Sequence, residues 1–200
     1  IAEPDRIDAA VAATIERVGV PGRLTVRAGI GHSGLLRSIP VEEWDRVFNV
    51  TARGPWLVMR AFADAMAATG GSIVATSSVS ARLVDRNMGA YCASKAALSM
   101  IVQVAACEWG ADGIRVNGVA PGVTNTRMLG NASRESGWLA HVVDRTALGR
   151  LGEPDDIAAA VFALHDLEWV TGQILDCDGG LSQHSPIDSY TEMLRARRGR

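Results

Sequence analysis

The sequence predicts an α/β fold in which helices cover both faces of a parallel sheet. Short β-prone segments alternate with helical segments that are long enough to cross from one strand to the next. The chain has 200 residues, of which 48% are hydrophobic and 21% charged, a composition typical of a globular domain with a sizeable core. We therefore expect residues 1–200 to belong to a single domain.

Four helices and four strands make up the predicted pattern. In chain order they are helix 4–19, strand 24–26, helix 40–68, strand 72–76, helix 90–110, strand 113–120, helix 153–165 and strand 172–177. The first helix repeats apolar residues at helical spacing, at Ile7, Val11, Ile15 and Val18. The Pro21-Gly22 pair ends it.

Glycine and proline mark the bounds of the later elements. Pro40 opens the second helix, and Gly70-Gly71 ends it. Strand 72–76 is a β-prone run, and Pro121-Gly122 ends the strand that follows it in the sequence. The last strand ends at Gly179-Gly180. The apolar side of helix 40–68 is expected to carry Trp44, Val47, Phe48, Trp56 and Leu57.

Charge and cysteine content limit the class of protein. A net charge of -2 argues against nucleic acid or an anionic membrane as the main partner, because both are bound through a basic excess. No apolar run approaches the roughly 20 residues of a membrane span. Cys92, Cys107 and Cys177 are few and odd in number, which predicts buried free thiols in a cytoplasmic protein. No metal site is expected, because ligand spacing is missing from the histidines, which are His32, His141, His165 and His184.

Lysine occurs once in this chain, at Lys95, whereas arginine accounts for the rest of the 20 basic residues. This lysine lies four residues after Tyr91, which is one of only two tyrosines. On a helix that spacing places both side chains on one face. The pair therefore indicates a chemical role.

Further motifs occur in a fixed order along the chain. They are Ala28-Gly29, Ser77-Ser78, Tyr91-x-x-x-Lys95, Arg115-Val116-Asn117, Pro121-Gly122 with Thr126, Gly149-Arg150-Leu151-Gly152, and Thr171-Gly172 leading to Asp178-Gly179-Gly180. Together they resemble the short-chain dehydrogenase/reductase family, similar to its bacterial 3-oxoacyl-reductase-like members, over nearly the whole chain. The resemblance implies a Rossmann-type doubly wound parallel sheet. It also implies a soluble enzyme that uses NAD or NADP to interconvert a small ketone and a secondary alcohol.

The resemblance assigns a catalytic group to Ser78, Tyr91 and Lys95. Proton transfer during hydride transfer would fall to Tyr91, whose pKa of about 10 must come down to about 7, at a differential stabilisation of about 4 kcal/mol. The Lys95 ammonium would favour the phenolate and would also hold the nicotinamide ribose hydroxyls, a task that suits a compact ammonium better than a planar guanidinium. Ser78 would donate a hydrogen bond to the substrate oxygen.

The cofactor contacts implied by the resemblance are spread over four segments. They are Ala28, Gly29, Thr76, Tyr91, Lys95, Pro121, Gly122, Thr124 and Thr126. Residues 127–146 would form a substrate lid, with Met128, Leu129 and Trp138 as its apolar lining.

Two positions depart from the family pattern. Thr51 stands where many members carry an asparagine that completes a proton relay, so we include it among the catalytic candidates. Val26-Arg27-Ala28-Gly29 stands in place of Asn-Asn-Ala-Gly, and about three residues are expected to be absent between Val26 and Arg27. These departures slightly favour an alternative, a non-catalytic scaffold or partner subunit that lacks a complete cofactor site, whereas the intact Ser78, Tyr91 and Lys95 oppose it.

The sequence starts at Ile1, inside a helical pattern. By resemblance, roughly 60 residues with the glycine-rich turn and the residue that selects NAD or NADP would precede it, and residues 1–200 would be two-thirds or more of the domain. Without them, the strand near Leu24 would have an apolar edge and the chain would fold poorly alone. The resemblance also implies a homotetramer or homodimer, through helices 40–68 and 90–110 and through helix 153–165 with the last strand.

Overall fold

A computed structural model describes residues 3–129 and 137–183 together with residues 188, 190 and 193. The strands are β1 (Arg23–Val26), β2 (Gly71–Thr76), β3 (Ile114–Pro121) and β4 (Ile174–Cys177). The helices are α1 (Pro4–Val18), α2 (Val41–Phe48), α3 (Gly54–Met66), α4 (Gly89–Trp109), α5 (Trp138–Arg145) and α6 (Pro154–Asp166). The predicted alternation of helices and strands is confirmed, with bounds that shift by one or two residues at most ends.

The four strands form one parallel sheet in the order β1-β2-β3-β4. Each strand pairs with the next one in sequence, with Val26 opposite Ala75, Ala75 opposite Gly118 and Ala120 opposite Asp176. Because all strands run the same way, their carboxyl ends meet at one edge of the sheet. The segments that leave β2 and β3 at this edge carry most of the predicted site.

Alternate residues of the strands enter two separate cores. Ile73 and Ala75 of β2 point into the larger core, which they share with residues of α1, α3 and α4. Val74 points to the opposite face and packs with Val119 and with Leu164 of α6. Burial of both faces by helices is therefore confirmed, as expected for an α/β Rossmann-type sheet.

The predicted helix 40–68 is one helical run that changes type in its middle. A π-helical turn at Asn49–Arg53 separates α2 from α3, and the Gly54 N–H bonds to the Asn49 carbonyl across it. Pro55 is the physical reason, because proline has no N–H to donate to the carbonyl of Thr51 four residues earlier. The wider turn carries Thr51, which is fully buried.

Some of the expected apolar positions are exposed. Ile7 and Val11 of α1 are buried, but Val18 is 76% exposed because it lies in the last turn of the helix, away from the core. Trp56 is also partly exposed, and the guanidinium of Arg60 lies 5.4 Å from the centroid of its ring. The apolar repeat in the sequence does not show where a helix extends beyond the core against which it packs.

The three cysteines are free thiols, but their predicted burial is wrong. Cys107 is exposed, and Cys92 and Cys177 are half-buried. Cys107 lies on the outer side of α4, where Val104 is also exposed. Of the four histidines, His165 is buried and hydrogen-bonded to Ser72 and Thr25, while His184 lies outside the described residues.

The stretch Gly89–Asp112 contains an 18-residue window that is long and apolar enough to cross a membrane by length and composition. By this test of length and composition, the expectation that no apolar run approaches a membrane span is wrong. The helix within this stretch, α4, packs against β3 and α3 and buries Tyr91, Lys95 and Leu98 among other residues. A core helix of a folded domain passes the same test of composition.

Candidate active site

The structure brings Ser78, Tyr91 and Lys95 together at the carboxyl end of β2. Ser78 lies two residues after the end of this strand, and Tyr91 and Lys95 lie one helical turn apart on α4. All three are buried, with Lys95 only 3% exposed. They form one compact polar group between the sheet and α4.

The ammonium of Lys95 has a defined position. Its Nζ donates a hydrogen bond to the Thr76 carbonyl at 2.6 Å and lies 5.7 Å from the centroid of the Tyr91 ring. Burial lowers the pKa of Lys95 to about 8, because the charged form is costly to hold away from water. An ammonium carries three donors, so this group has donors to offer a ligand beyond the bond to Thr76.

Tyr91 has a pKa that is shifted in the opposite direction to the one expected. Burial raises it, and the hydrogen bond with the Ser78 side chain only partly offsets that effect. In this arrangement Ser78 is the group that favours the phenolate.

One hydroxyl–hydroxyl hydrogen bond joins α4 to the segment after β2, and two further serine hydrogen bonds lie within α4. Ser77 and Ser99 share a hydrogen bond at 2.7 Å, and Ser99 also donates to the Lys95 carbonyl at 3.0 Å. Ser94 donates to the Tyr91 carbonyl at 2.8 Å. Ser99 lies four residues after Lys95 on the same helix, and this spacing is the sequence signal from which its contact with Lys95 could have been predicted.

Thr51 joins the site through the loop that follows β1. Its hydroxyl accepts a hydrogen bond from the Ile30 N–H and donates one to the Ile30 carbonyl, both at 3.1 Å. In the same loop, a Cβ on Gly29 would lie 3.2 Å from Lys95 Nζ and 3.8 Å from Thr51 Cγ2. Glycine thus lets the loop pass close to the ammonium, and Ala28 beside it is half-buried.

The predicted segment after β3 is tied to the Gly149-Arg150-Leu151-Gly152 motif. Gly152 N–H donates to the Val123 carbonyl at 3.0 Å, and Asn125 N–H donates to the Gly152 carbonyl at 2.8 Å. A Cβ on Gly122 would lie 2.8 Å from the Cα of Asp178, so glycine is required by the close approach of the two backbones. The remaining predicted residues of this segment, Pro121, Thr124 and Thr126, are half-buried beside it.

Part of the predicted lid, residues 130–136, lies outside the described residues. On either side of this gap, Met128 and Trp138 are exposed and Leu129 is half-buried. Met128 and Trp138 thus face solvent on the chain as described, and an apolar lining by them remains a prediction.

One cavity of the described structure does not contain the catalytic candidates. It has a volume of about 490 Å³ and lies between residues 147–152, β4 and the turn at 178–180. A second cavity of about 270 Å³ lies between residues 80–85 and the first turns of α4, and is lined by Cys92. Within the described ranges, no cluster of three or more His, Cys, Asp or Glu side chains could hold a metal ion.

Comparison with known proteins gives the family. Residues 1–182 match a family model described as Enoyl-(Acyl carrier protein) reductase. An uncharacterized oxidoreductase of Mycobacterium tuberculosis is 34% identical over 184 residues, which are 85% of this chain and 66% of that protein. The chain belongs to the short-chain dehydrogenase/reductase family. It spans about two thirds of the length of this relative.

Two further similarities lie within the short-chain dehydrogenase/reductase family. Galactitol 2-dehydrogenase (L-tagatose-forming) of Cereibacter sphaeroides is 37% identical over 176 residues, covering 86% of this chain and 69% of that enzyme. The crystal structure of a gluconate 5-dehydrogenase from Burkholderia cenocepacia, in complex with NADP and tartrate, has a TM-score of 0.89 and 29% identity. That comparison covers 92% of this chain and 73% of the other.

Proposed function

We propose that the protein is an NAD- or NADP-dependent oxidoreductase that interconverts a small ketone and a secondary alcohol. The observation that carries the proposal is the buried group of Ser78, Tyr91 and Lys95 at the carboxyl end of β2. Open α/β sheets bind ligands at this edge. A buried lysine, a buried tyrosine and a serine hydroxyl together supply a cation, a proton carrier and a hydrogen-bond donor.

Tyr91 is the group that moves the proton in this proposal. In reduction its Oη gives a proton to the carbonyl oxygen as the hydroxyl forms, and in oxidation it takes the proton of the alcohol. Ser78 donates a hydrogen bond to the same substrate oxygen and stabilises the negative charge that develops there. A bound nicotinamide supplies the hydride for reduction and accepts it in oxidation.

The residues around Lys95 fit a nicotinamide cofactor. Lys95 has hydrogen-bond donors to offer a ribose, and Gly29 keeps a side chain away from the ammonium. We assign the ribose to Lys95 and Tyr91, and the carboxamide end to the backbone of Pro121 and Gly122. The flanking positions of the cofactor site would be Ala28, Gly29, Thr76, Thr124 and Thr126.

The names of relatives supply a panel of candidate substrates. Their names give galactitol, L-rhamnose and gluconate as compounds on which they act, all of which carry secondary alcohols or a related carbonyl group. We propose a small polyhydroxylated alcohol, sugar or sugar acid for this protein. Each compound would be offered with NAD⁺ and with NADP⁺, and formation of the reduced nicotinamide would be followed by absorbance.

The test compares the two tyrosines of the chain. Tyr91→Phe should lower kcat by about 10²- to 10⁴-fold, the usual contribution of general acid–base catalysis. Tyr190→Phe is the matched control, because Tyr190 is exposed, and it should keep the activity of the starting protein. Full activity of Tyr91→Phe would refute the proposed mechanism.

The alternative is a non-catalytic scaffold or partner subunit of the same family. Its sequence basis was Thr51 and the segment Val26-Arg27-Ala28-Gly29. Thr51 makes a specific pair of hydrogen bonds to Ile30, which supports an ordered cofactor-side loop. Absence of turnover on the whole panel, with no thermal shift on addition of NADH or NADPH, would favour the scaffold.

A further inference from the structure

An ion pair joins the segment behind Ser78 to the last strand of the sheet. Arg82 Nη2 donates a hydrogen bond to Asp176 Oδ2, and the two residues are 94 positions apart in sequence. Asp176 lies in β4 opposite Ala120 of β3, so its backbone is fixed by the sheet. Arg82 lies in the segment between Ser78 and Tyr91, where strand pairing does not fix the chain.

Ser78 and Arg82 lie at the two ends of one 3₁₀ turn. Ser78 begins a 3₁₀ turn at Val79–Ala81, and its Oγ accepts a hydrogen bond from the Ser80 N–H at 3.1 Å. Arg82 ends the same turn, because its N–H donates to the Val79 carbonyl at 3.0 Å. Arg82 and the Ser78 hydroxyl are therefore joined through a single turn.

The carboxylate of Asp176 depends on Arg82. Its second oxygen, Oδ1, is enclosed and has no hydrogen-bond partner among the described residues. A carboxylate with an enclosed, unpartnered oxygen is costly to hold without a cation, and Arg82 pairs with the other oxygen, Oδ2. Each member of the pair is thus held in place by the other.

The far end of the same segment is also anchored. Gly34 N–H donates to the Asn87 carbonyl at 2.8 Å, and Gly34 and Met88 form an isolated parallel bridge. Between the two anchors, Leu83 and Val84 are exposed. The segment that links Ser78 to Tyr91 is therefore held near each end, by β4 at Arg82 and by the loop after β1 at Asn87.

We infer that Arg82 and Asp176 are positioning residues that hold the Ser78 hydroxyl against Tyr91. The inference rests on the proposed function for its kinetic consequence, whereas the geometry of the pair does not. Loss of the pair lets the 3₁₀ turn move, and Ser78 then loses its alignment with the phenol. The cofactor contacts at Lys95 are on α4 and stay in place.

The experiment uses substitutions that separate charge balance from positioning. Arg82→Met removes the cation and should lower kcat by about 10- to 100-fold, the cost of a small misplacement of a catalytic group. The double variant Arg82→Met with Asp176→Val also removes the enclosed carboxylate, so it should recover the melting temperature but not kcat. The charge-swapped pair, Arg82→Asp with Asp176→Arg, should recover part of kcat. Arg86→Met, at an exposed arginine of the same segment, is the control and should match the starting protein.

A second measurement does not depend on turnover. In a Tyr190→Phe background Tyr91 is the only tyrosine, so its ionisation can be followed by the absorbance of the phenolate. The groups that act on this phenol are Ser78, Cys92 and the nearby Lys95. Loss of the Ser78 hydrogen bond in Arg82→Met should move the titration to higher pH, while affinity for the nicotinamide cofactor stays unchanged.

The outcomes separate the two proposals. An unmodified protein that turns over no compound of the panel contradicts the proposed function, and the phenol titration still tests the inference. Recovery of wild-type kcat together with the melting temperature in the double variant overturns the inference, because the pair would then only balance charge. An unshifted phenol titration in Arg82→Met overturns it as well.

Discussion

The hydroxyl of Thr51 is bonded to both polar groups of the Ile30 backbone, as acceptor from its N–H and as donor to its carbonyl. These two hydrogen bonds tie the π-helical turn Asn49–Arg53 to the loop that carries Gly29. The resemblance suggested a proton-relay role for this position. In the structure the hydroxyl is engaged with the backbone, which makes Thr51 a residue that holds the loop beside Lys95.

Replacement of Thr51 tests that role. Thr51→Val keeps the shape of the side chain but leaves two backbone groups of Ile30 without their partner, at a cost of about 1–3 kcal/mol. We expect a lower melting temperature and weaker binding of the nicotinamide cofactor. Thr51→Ser keeps the hydroxyl and serves as the control. Equal cofactor affinity in both variants would contradict a loop-holding role.

Lys95 is expected to trade stability against function. Near pH 7 its ammonium is charged in the folded and unfolded states, and a pKa lowered to about 8 corresponds to a burial cost of about 3 kcal/mol. Lys95→Met should therefore abolish turnover while raising the melting temperature by a few degrees, after the lost bond to Thr76 is offset. Thermal unfolding and kinetics on the same preparation check both parts.

Lysine at this position is also compared with arginine. Lys95→Arg keeps the charge but places a planar guanidinium where Gly29 and Thr76 fit an ammonium. Cofactor affinity and kcat should fall together. Unchanged kinetics would show that any cation is sufficient at this position.

Gly122 is predicted to tolerate no side chain. A Cβ there would meet the Cα and Cβ of Asp178 at 2.8 Å, so Gly122→Ala must move one of two backbone segments, at about 1–3 kcal/mol. We expect reduced stability and reduced cofactor affinity. Gly31→Ala is the matched control, because no atom lies within 4 Å of a Cβ at that position. Similar melting temperatures for the two variants would argue against the close approach.

His165 is expected to make the fold sensitive to acid. Burial lowers its pKa, with smaller contributions from Arg23 and Arg115, and Asp166 opposes them. The unfolded chain, with a histidine pKa of about 6.5, then binds protons that the folded state does not. The free energy of unfolding is therefore fully retained above about pH 6.5 and declines below it, until the folded-state pKa is reached.

Urea unfolding at a series of pH values measures this effect. The His165→Gln variant keeps groups able to hydrogen-bond Ser72 and Thr25, but it does not titrate. Its stability should fall less than that of the starting protein as the pH is lowered through 6.5, a histidine's ordinary pKa. Parallel pH dependence in the two proteins would assign the acid sensitivity to other groups.

Self-association through two faces is the last prediction. The outer side of α4 exposes Met100 and Val104, and the region of α6 and β4 exposes Phe162, Leu175 and Trp169, the last of these fully. Exposed apolar patches of this kind mark interfaces. We expect a tetramer that Val104→Glu converts to dimers, and that Val104→Glu with Phe162→Glu converts to monomers. Light scattering that gives a monomer for the unmodified protein would refute this.

The sequence predicted the parts of the fold that depend on local spacing. The four-residue step from Tyr91 to Lys95 and the alternation in β2 are set by the period of one helix and one strand. The π-helical turn was not predicted, because the apolar pattern of helix 40–68 runs through it and the signal was a single residue, Pro55. Met128 and Trp138 were expected to form an apolar lining, but both side chains are exposed in the described structure. The periodicity of a sequence does not show whether such side chains line a site.

The contacts made by Arg82 and Asp176 lay beyond sequence reasoning for a different reason. They join positions 94 residues apart, and the sequence around either residue gives no indication of the other. The position of Lys95 at the Thr76 carbonyl has the same character, since it depends on how α4 lies on the end of β2. Long-range placement of charged groups is where the structure added most.

The polar group of the site is drawn from a short stretch of chain. Thr76, Ser78, Tyr91 and Lys95 all lie within one strand, one connecting segment and the first turns of one helix. Closing a loop of this length costs little entropy, so these contacts can form early, as soon as β2 and α4 dock during folding. The catalytic candidates would then come together first during folding. The other segments that contact the ligand would be added later, around this polar group.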